Sequence, residues 1–292
     1  MKMKNLFSLI FLATIIFSCQ KSKPVVEDTV APVSLEDARS AFFNNLKAPA
    51  EAAAILQATG AEFNASLIND HSKYPQYAKD KVKAAANLGI YLSDLNYSVA
   101  YKESANTKEL FTAALELSRE IGVEQTVLDF LLDRYTKNIA QNDSVKNLVI
   151  SLYLYSTENL KDTEQEKLVG IAMAAYQIEN LHLALGLIST YPKDMLTTDA
   201  RTQILVPVFR MVLDQKANVE NIYGFLKSIS DPAKPNFDYY ATAFQDLIST
   251  YDKLNITEKL ANNEGLELMK DEVALELSEK VEAIRAKVVS VE

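Results

Sequence analysis

Residues 164 to 190 constrain the fold more than any other stretch of the chain. Thr163-Glu164-Gln165-Glu166 has the form of a capping box, in which the Thr hydroxyl and a Glu three residues on each satisfy a backbone N–H of the other. From there to Thr190, just before Tyr191-Pro192, apolar side chains including Val169, Ile171, Tyr176, Ile178, Leu181 and Leu185 cover every side of the predicted helix. A helix apolar all round is either the buried centre of a larger body or a membrane span. Gln177, Glu179, Asn180 and His182 sit at its middle, where a span would have to bury them in hydrocarbon. The stretch is therefore expected to be a central helix that other helices surround.

The rest of the sequence supplies those helices. Apolar residues recur at helical spacing in segment after segment, and no stretch alternates convincingly as a strand would. With only 7 Gly and 8 Pro, the chain lacks the turn residues that an all-β fold needs. Ser34 is expected to open a first helix through Leu46, and Pro49–Thr59 a second, with Gly60 as its C-terminal cap. Ala61 to Tyr77 is read as a long loop. Its Phe63, Leu67 and Ile68 should tuck onto the body and leave its polar residues outside, and its length makes it a functional suspect. Further helices are expected at about 78–104, 106–121, 124–141, 143–160, 198–216 (with Pro207 kinking it), 218–229, 237–254 and 264–289. Ser230 to Asn236 should form an exposed loop, and Thr257 a short turn. Leu88-Gly89-Ile90 and Val169-Gly170-Ile171 echo each other, which hints at an old duplication, though no solenoid period emerges. The fold class expected is all-α: a multi-helix bundle or irregular array of helical hairpins, about ten to twelve helices and no sheet.

The start of the chain says where this body belongs. Met1-Lys2-Met3-Lys4-Asn5 is basic, Leu6 to Phe17 is apolar, and Ser18-Cys19 follows, which is the layout of an export signal. The apolar run, at twelve residues, is shorter than the roughly 20 residues that span a bilayer as a helix. Ile16-Phe17-Ser18-Cys19 resembles the lipobox of bacterial lipoproteins. The resemblance implies removal of residues 1–18 and attachment of acyl chains, palmitate among them, to Cys19. Several chains anchor stably where one would not. Residues 19–33, with Pro24, Glu27, Asp28 and Pro32, then form a polar tether with a flexible reach of roughly 20 Å, and residues 34–292 form one helical domain. Gln20 stands where an Asp would signal inner-membrane retention, so the resemblance implies the outer membrane. Lys21 and Lys23 in place of an acidic run favour a domain facing the periplasm.

Several function classes are disfavoured by composition. Cys19 is the only cysteine, so the body can hold no disulfide, thiolate metal site or thiol nucleophile. Two His without HExxH spacing argue against a metal centre, and no cofactor is expected. A formal charge of −9, which grows when Lys2 and Lys4 leave, opposes binding to nucleic acid. No GxGxxG, GxxxxGK[ST] or GxSxG occurs, so nucleotide binding and α/β-hydrolase chemistry have no motif.

What remains is a set of polar residues inside apolar helices. Glu179 and His182, three apart, share one helix face and are expected to pair with each other. Asp94, between Tyr91 and Tyr97, is a second buried acid, with a Tyr hydroxyl or a Lys as its expected partner. Tyr91, Asp94, Tyr97, Glu179 and His182 could line a pocket, or they could be core hydrogen bonds that fix helix register. Asn87-Leu88-Gly89-Ile90-Tyr91, Asp94-Leu95, Tyr97 and Ile178-Glu179-Asn180-Leu181-His182 also resemble stretches of a group of exported all-helical envelope lipoproteins of Gram-negative bacteria. That resemblance runs from about Phe42 to the end; it implies a helical fold and no activity. The function expected is a non-enzymatic, membrane-tethered factor for interaction, assembly or scaffolding with an envelope protein partner. A small-ligand binder is the alternative, and an envelope hydrolase acting through two carboxylates is a third reading.

Overall fold

The computed structural model describes residues 48–138, 164–194, 196–229, 235–254 and 272–291, together with Asp37 and Ser40. Within them lie nine helices of eleven residues or more, and no strand among the described residues: α1 Ala48–Ala58, α2 Lys81–Ala100, α3 Ser104–Glu120, α4 Gln125–Asn138, α5 Glu164–Thr190, α6 Thr198–Leu213, α7 Lys216–Ile229, α8 Pro235–Lys253 and α9 Glu272–Val288. The fold is all-α. The expected cleavage site, Cys19, the tether, the helix at 143–160, the Thr163 cap and the turn at Thr257 lie outside the described residues. Of the first expected helix only Asp37 and Ser40 are described, both helical.

The central helix is α5. It packs against α1, α2, α6, α7, α8 and α9, and against a 3₁₀ turn at Ala65–Leu67. By length and composition Glu166–Thr190 could cross a membrane, but 89% of its most apolar window is buried inside the protein. Other helices rather than lipid satisfy its apolar surface, which is the outcome its mid-length polar residues call for.

The closest partner of α5 is α2, because α2 presents small residues to it. A Cβ on Gly89 would sit 2.1 Å from the Ala172 carbonyl oxygen, so the two backbones touch there. One turn on, the Ser93 hydroxyl donates to Asn180 Oδ1 at 2.6 Å, and Asn96 Nδ2 donates to the Tyr176 hydroxyl at 2.7 Å. Gly170, the other glycine of the repeated tripeptide, faces the Phe225 ring of α7 instead of a backbone.

Helix ends follow local chemistry. Gly60 (φ 88°) and Gly122 (φ 98°) take the left-handed conformation just after α1 and α3. In each case the next residue's N–H reaches five positions back, Ala61 to Leu56 O and Val123 to Ser118 O, which is the Schellman stop expected of those glycines. The expected helix at 78–104 is shorter at both ends. Asp80 caps its start by accepting from Lys83 N–H at 2.8 Å. Lys102 (φ 61°) closes its end with the same five-back bond, Glu103 N–H to Ser98 O, without a glycine to announce it. Thr197 rather than Thr198 caps α6, Pro207 lies inside that helix, and Pro235-Asn236, expected in a loop, already belong to α8.

The segment from Ala61 to Tyr77 departs most from expectation. It is not a structureless loop but two 3₁₀ turns, Ala65–Leu67 and His71–Lys73, followed by one α-turn at Tyr74–Tyr77. The residues that break the helical period do so by capping: Asn64 Oδ1 accepts from Ser66 N–H at 3.0 Å and Asp70 Oδ1 from Ser72 N–H at 2.9 Å. Leu67 and Tyr77 are buried, and so is the polar Asn69, which was expected outside.

Candidate functional site

The five side chains singled out above do come together, and what they enclose is the backbone of residues 64–70. From α2, the Tyr97 hydroxyl accepts from Asn64 N–H at 3.0 Å, Asp94 Oδ2 from Asn69 N–H at 2.9 Å, and the Tyr91 hydroxyl donates to the Asp70 carbonyl at 2.9 Å. Successive turns of one helix face thus bind successive points of the segment. The Phe63 ring stacks on Tyr97 with centroids 5.0 Å apart and seals that end.

From α5, Glu179 and His182 reach the same segment, Glu179 through Arg285 of α9 and His182 directly. Glu179 accepts a two-pronged pair of bonds from Arg285, Nε at 2.7 Å and Nη2 at 2.8 Å, and the same Nη2 donates to the Leu67 carbonyl at 3.1 Å. His182 Nε2 lies 3.0 Å from that carbonyl, and its Nδ1 contacts Glu282 Oε1.

Two expectations are corrected here. Glu179 and His182 do not take each other as partners, because each turns toward α9, where a guanidinium and a carboxylate offer better geometry. Asp94 bonds to neither a Tyr hydroxyl nor a Lys, but to a backbone N–H and to Glu179. Arg285, Asn69, Asn87 and Glu282 were missed. For Arg285 a signal existed: it falls four residues after Val281 and three before Val288, on the buried stripe of α9. Asn87 Nδ2 donates to the Val288 carbonyl at 3.0 Å and Asn69 Nδ2 to the Tyr77 hydroxyl at 3.3 Å, which ties the segment to the end of α9.

Burial sets the electrostatics. Asp94 and Glu179 are both fully buried, and one guanidinium faces the two of them. Removal from water, then the charge of Glu179 and a hydrogen bond to it, push the Asp94 carboxyl well above the usual Asp range. Asp94 Oδ1 has no ordinary donor within reach, which a proton on that carboxyl explains: the protonated oxygen becomes the donor and Glu179 the acceptor. Asp94 is thus the member of the pair held in its neutral form, and Glu179 is the one that accepts from Arg285. Burial alone would pull Arg285 down, but the charge of Glu179 and its two hydrogen bonds hold it above its ordinary value. Burial also raises Tyr91, and pushes Tyr97 up to about 12, so both phenols stay protonated.

Chemically this is a shared proton and an ion pair whose hydrogen-bonding atoms are spent on the protein's own chain. No group of three or more His, Cys, Asp or Glu side chains suited to a metal ion occurs among the described residues. The chain matches no family model, no curated protein and no solved structure.

Proposed function

We propose that this protein is a lipoprotein held at the outer membrane by acyl chains on Cys19, its helical domain facing the periplasm, and that it acts without catalysis as an interaction or assembly factor for an envelope protein partner. One observation carries the choice of an interaction role over a small-molecule pocket. Tyr91, Asp94, Tyr97, Glu179 and His182 direct their polar atoms at residues 64–70, at α9 or at each other. A ligand entering there would have to displace the backbone of Leu67, Asn69 and Asp70. Each buried group left unpaired would cost about 1–3 kcal/mol. The tether reading rests on the basic start, the short apolar run and the lone Cys19.

The test is purification of the tagged protein from detergent-solubilised envelope after gentle cross-linking. The proposal expects one or a few envelope proteins to be recovered in constant proportion. Recovery of the protein alone, run after run, would contradict it.

A further inference from the structure

Asp94 on α2 faces Glu179 of α5, Arg285 of α9 and the segment 64–70. The segment is the thinnest of these covers. Asn69 is buried where its N–H meets the Asp94 carboxyl, but Ala65, Ser66 and Asp70 are exposed, so a single layer of chain lies between that carboxyl and water. Side chains hold the segment there by its backbone, at Asn64 N–H, the Leu67 carbonyl, Asn69 N–H and the Asp70 carbonyl. Water can take over each of those bonds.

The titratable and charged side chains around Asp94 come from every element that meets it. They are Tyr91 and Tyr97 on α2, Asp70 and Tyr77 on the segment, Glu179 and His182 on α5, and Arg285 and Glu282 on α9. Of these only Arg285 and His182 can be cations, and both are engaged elsewhere. Arg285 donates to Glu179 and to the Leu67 carbonyl, and His182 contacts that carbonyl and Glu282. Among the described residues the one donor to Asp94 is Asn69 N–H, and its Oδ1 has none. A dry site with one neutral donor, beside a second carboxyl, disfavours an ionised Asp, whereas water accommodates it freely.

We propose that residues 64–70 form a strap whose opening releases one proton from Asp94, so that a rise in pH loosens it. Closed, the strap keeps the proton on; open, it lets water reach the carboxyl and the proton leave. The interval concerned runs from the ordinary Asp value up to the higher one that Asp94 has under the strap. Within it each pH unit favours opening by about tenfold, and outside it Asp94 makes opening no more sensitive to pH. Opening also bares the Tyr91 and Tyr97 hydroxyls and the Glu179–Arg285 pair.

Amide hydrogen exchange of the detergent-solubilised full chain from about pH 5 to about pH 8, corrected for the intrinsic rate at each pH, tests this. The amides of Leu67 and Asn69 should exchange faster than those at the middle of α5, through an opening of their own. Their protection should fall about tenfold per pH unit until Asp94 loses its proton under the closed strap. In Asp94→Asn their protection should not vary with pH, and if that variant fails to fold the wild-type series decides alone. Protection that stays constant over the whole range overturns the proposal, as does exchange of the segment only in step with the middle of α5. A pH dependence that persists in Asp94→Asn also overturns it, leaving His182 as its source.

Discussion

Asp94 and Glu179 occupy the same dry place and behave oppositely when changed. In the folded protein Asp94 holds its proton above the pH at which an unfolded Asp releases it. The folded state therefore binds more protons over that interval, so the contribution of Asp94 is full below the ordinary Asp value and is lost as pH rises through the raised one. Asp94→Asn keeps the shape, accepts from Asn69 N–H and donates to Glu179 with no proton to lose. In chemical denaturation it should match wild type near pH 4 and become the more stable of the two as pH rises; a variant less stable than wild type at pH 8 would refute the neutral-acid assignment. Glu179→Gln instead leaves the largely buried Arg285 without its anion and should cost about 3–5 kcal/mol at pH 7. At this scale the sequence identifies the right helices and the right polar positions, since a Glu or Asp inside an apolar run is visible as such. It does not reveal the partners, because Arg285 is 106 positions from Glu179 and shares its helix with exposed Glu282 and Lys287.

Elements were legible wherever one residue type dictates a conformation. Gly60 and Gly122 mark two helix ends because a left-handed residue is needed there and glycine adopts it freely. Lys102 performs the same turn with a side chain that resists it, and for that reason the end of α2 was placed too late. Lys102→Gly should stabilise the protein by about 0.5–1 kcal/mol, read as a higher denaturant midpoint with unchanged slope; no gain would mean that the Lys side chain contributes something its geometry does not reveal. The segment 61–77 was misread because Asn64, Asp70 and Pro75 signal a break in the period without saying that caps rebuild short turns on the far side of it. Between elements, the approach of α2 to α5 is set at Gly89. Gly89→Ala would drive a methyl into the Ala172 carbonyl, which cannot swing aside as a side chain would, and should cost about 1–3 kcal/mol or more. Gly170→Ala meets only the Phe225 and Ile229 side chains and should cost less, so equal losses at the two glycines would contradict the backbone contact.

For the whole molecule, the central place of α5 was legible because a helix without a polar face has nowhere else to go. The packing order around it was not, since α1, α2, α6, α7, α8 and α9 all offer apolar stripes of similar kind. Which helix contacts which depends on matched details such as Gly89 against Ala172 and Ser93 against Asn180, and these are set pairwise across the chain. The proposed function turns on whether this bundle is attached to a membrane through the sulfur of Cys19. The most direct measurement compares wild type with Cys19→Ser by cell fractionation, together with intact-mass analysis of the purified chain. The account predicts a wild-type protein that begins at Cys19, carries the added mass of its acyl chains and sediments with membranes, while the variant does none of these. A variant that sediments with membranes to the same extent as wild type, or a wild-type chain without acyl mass, would contradict it.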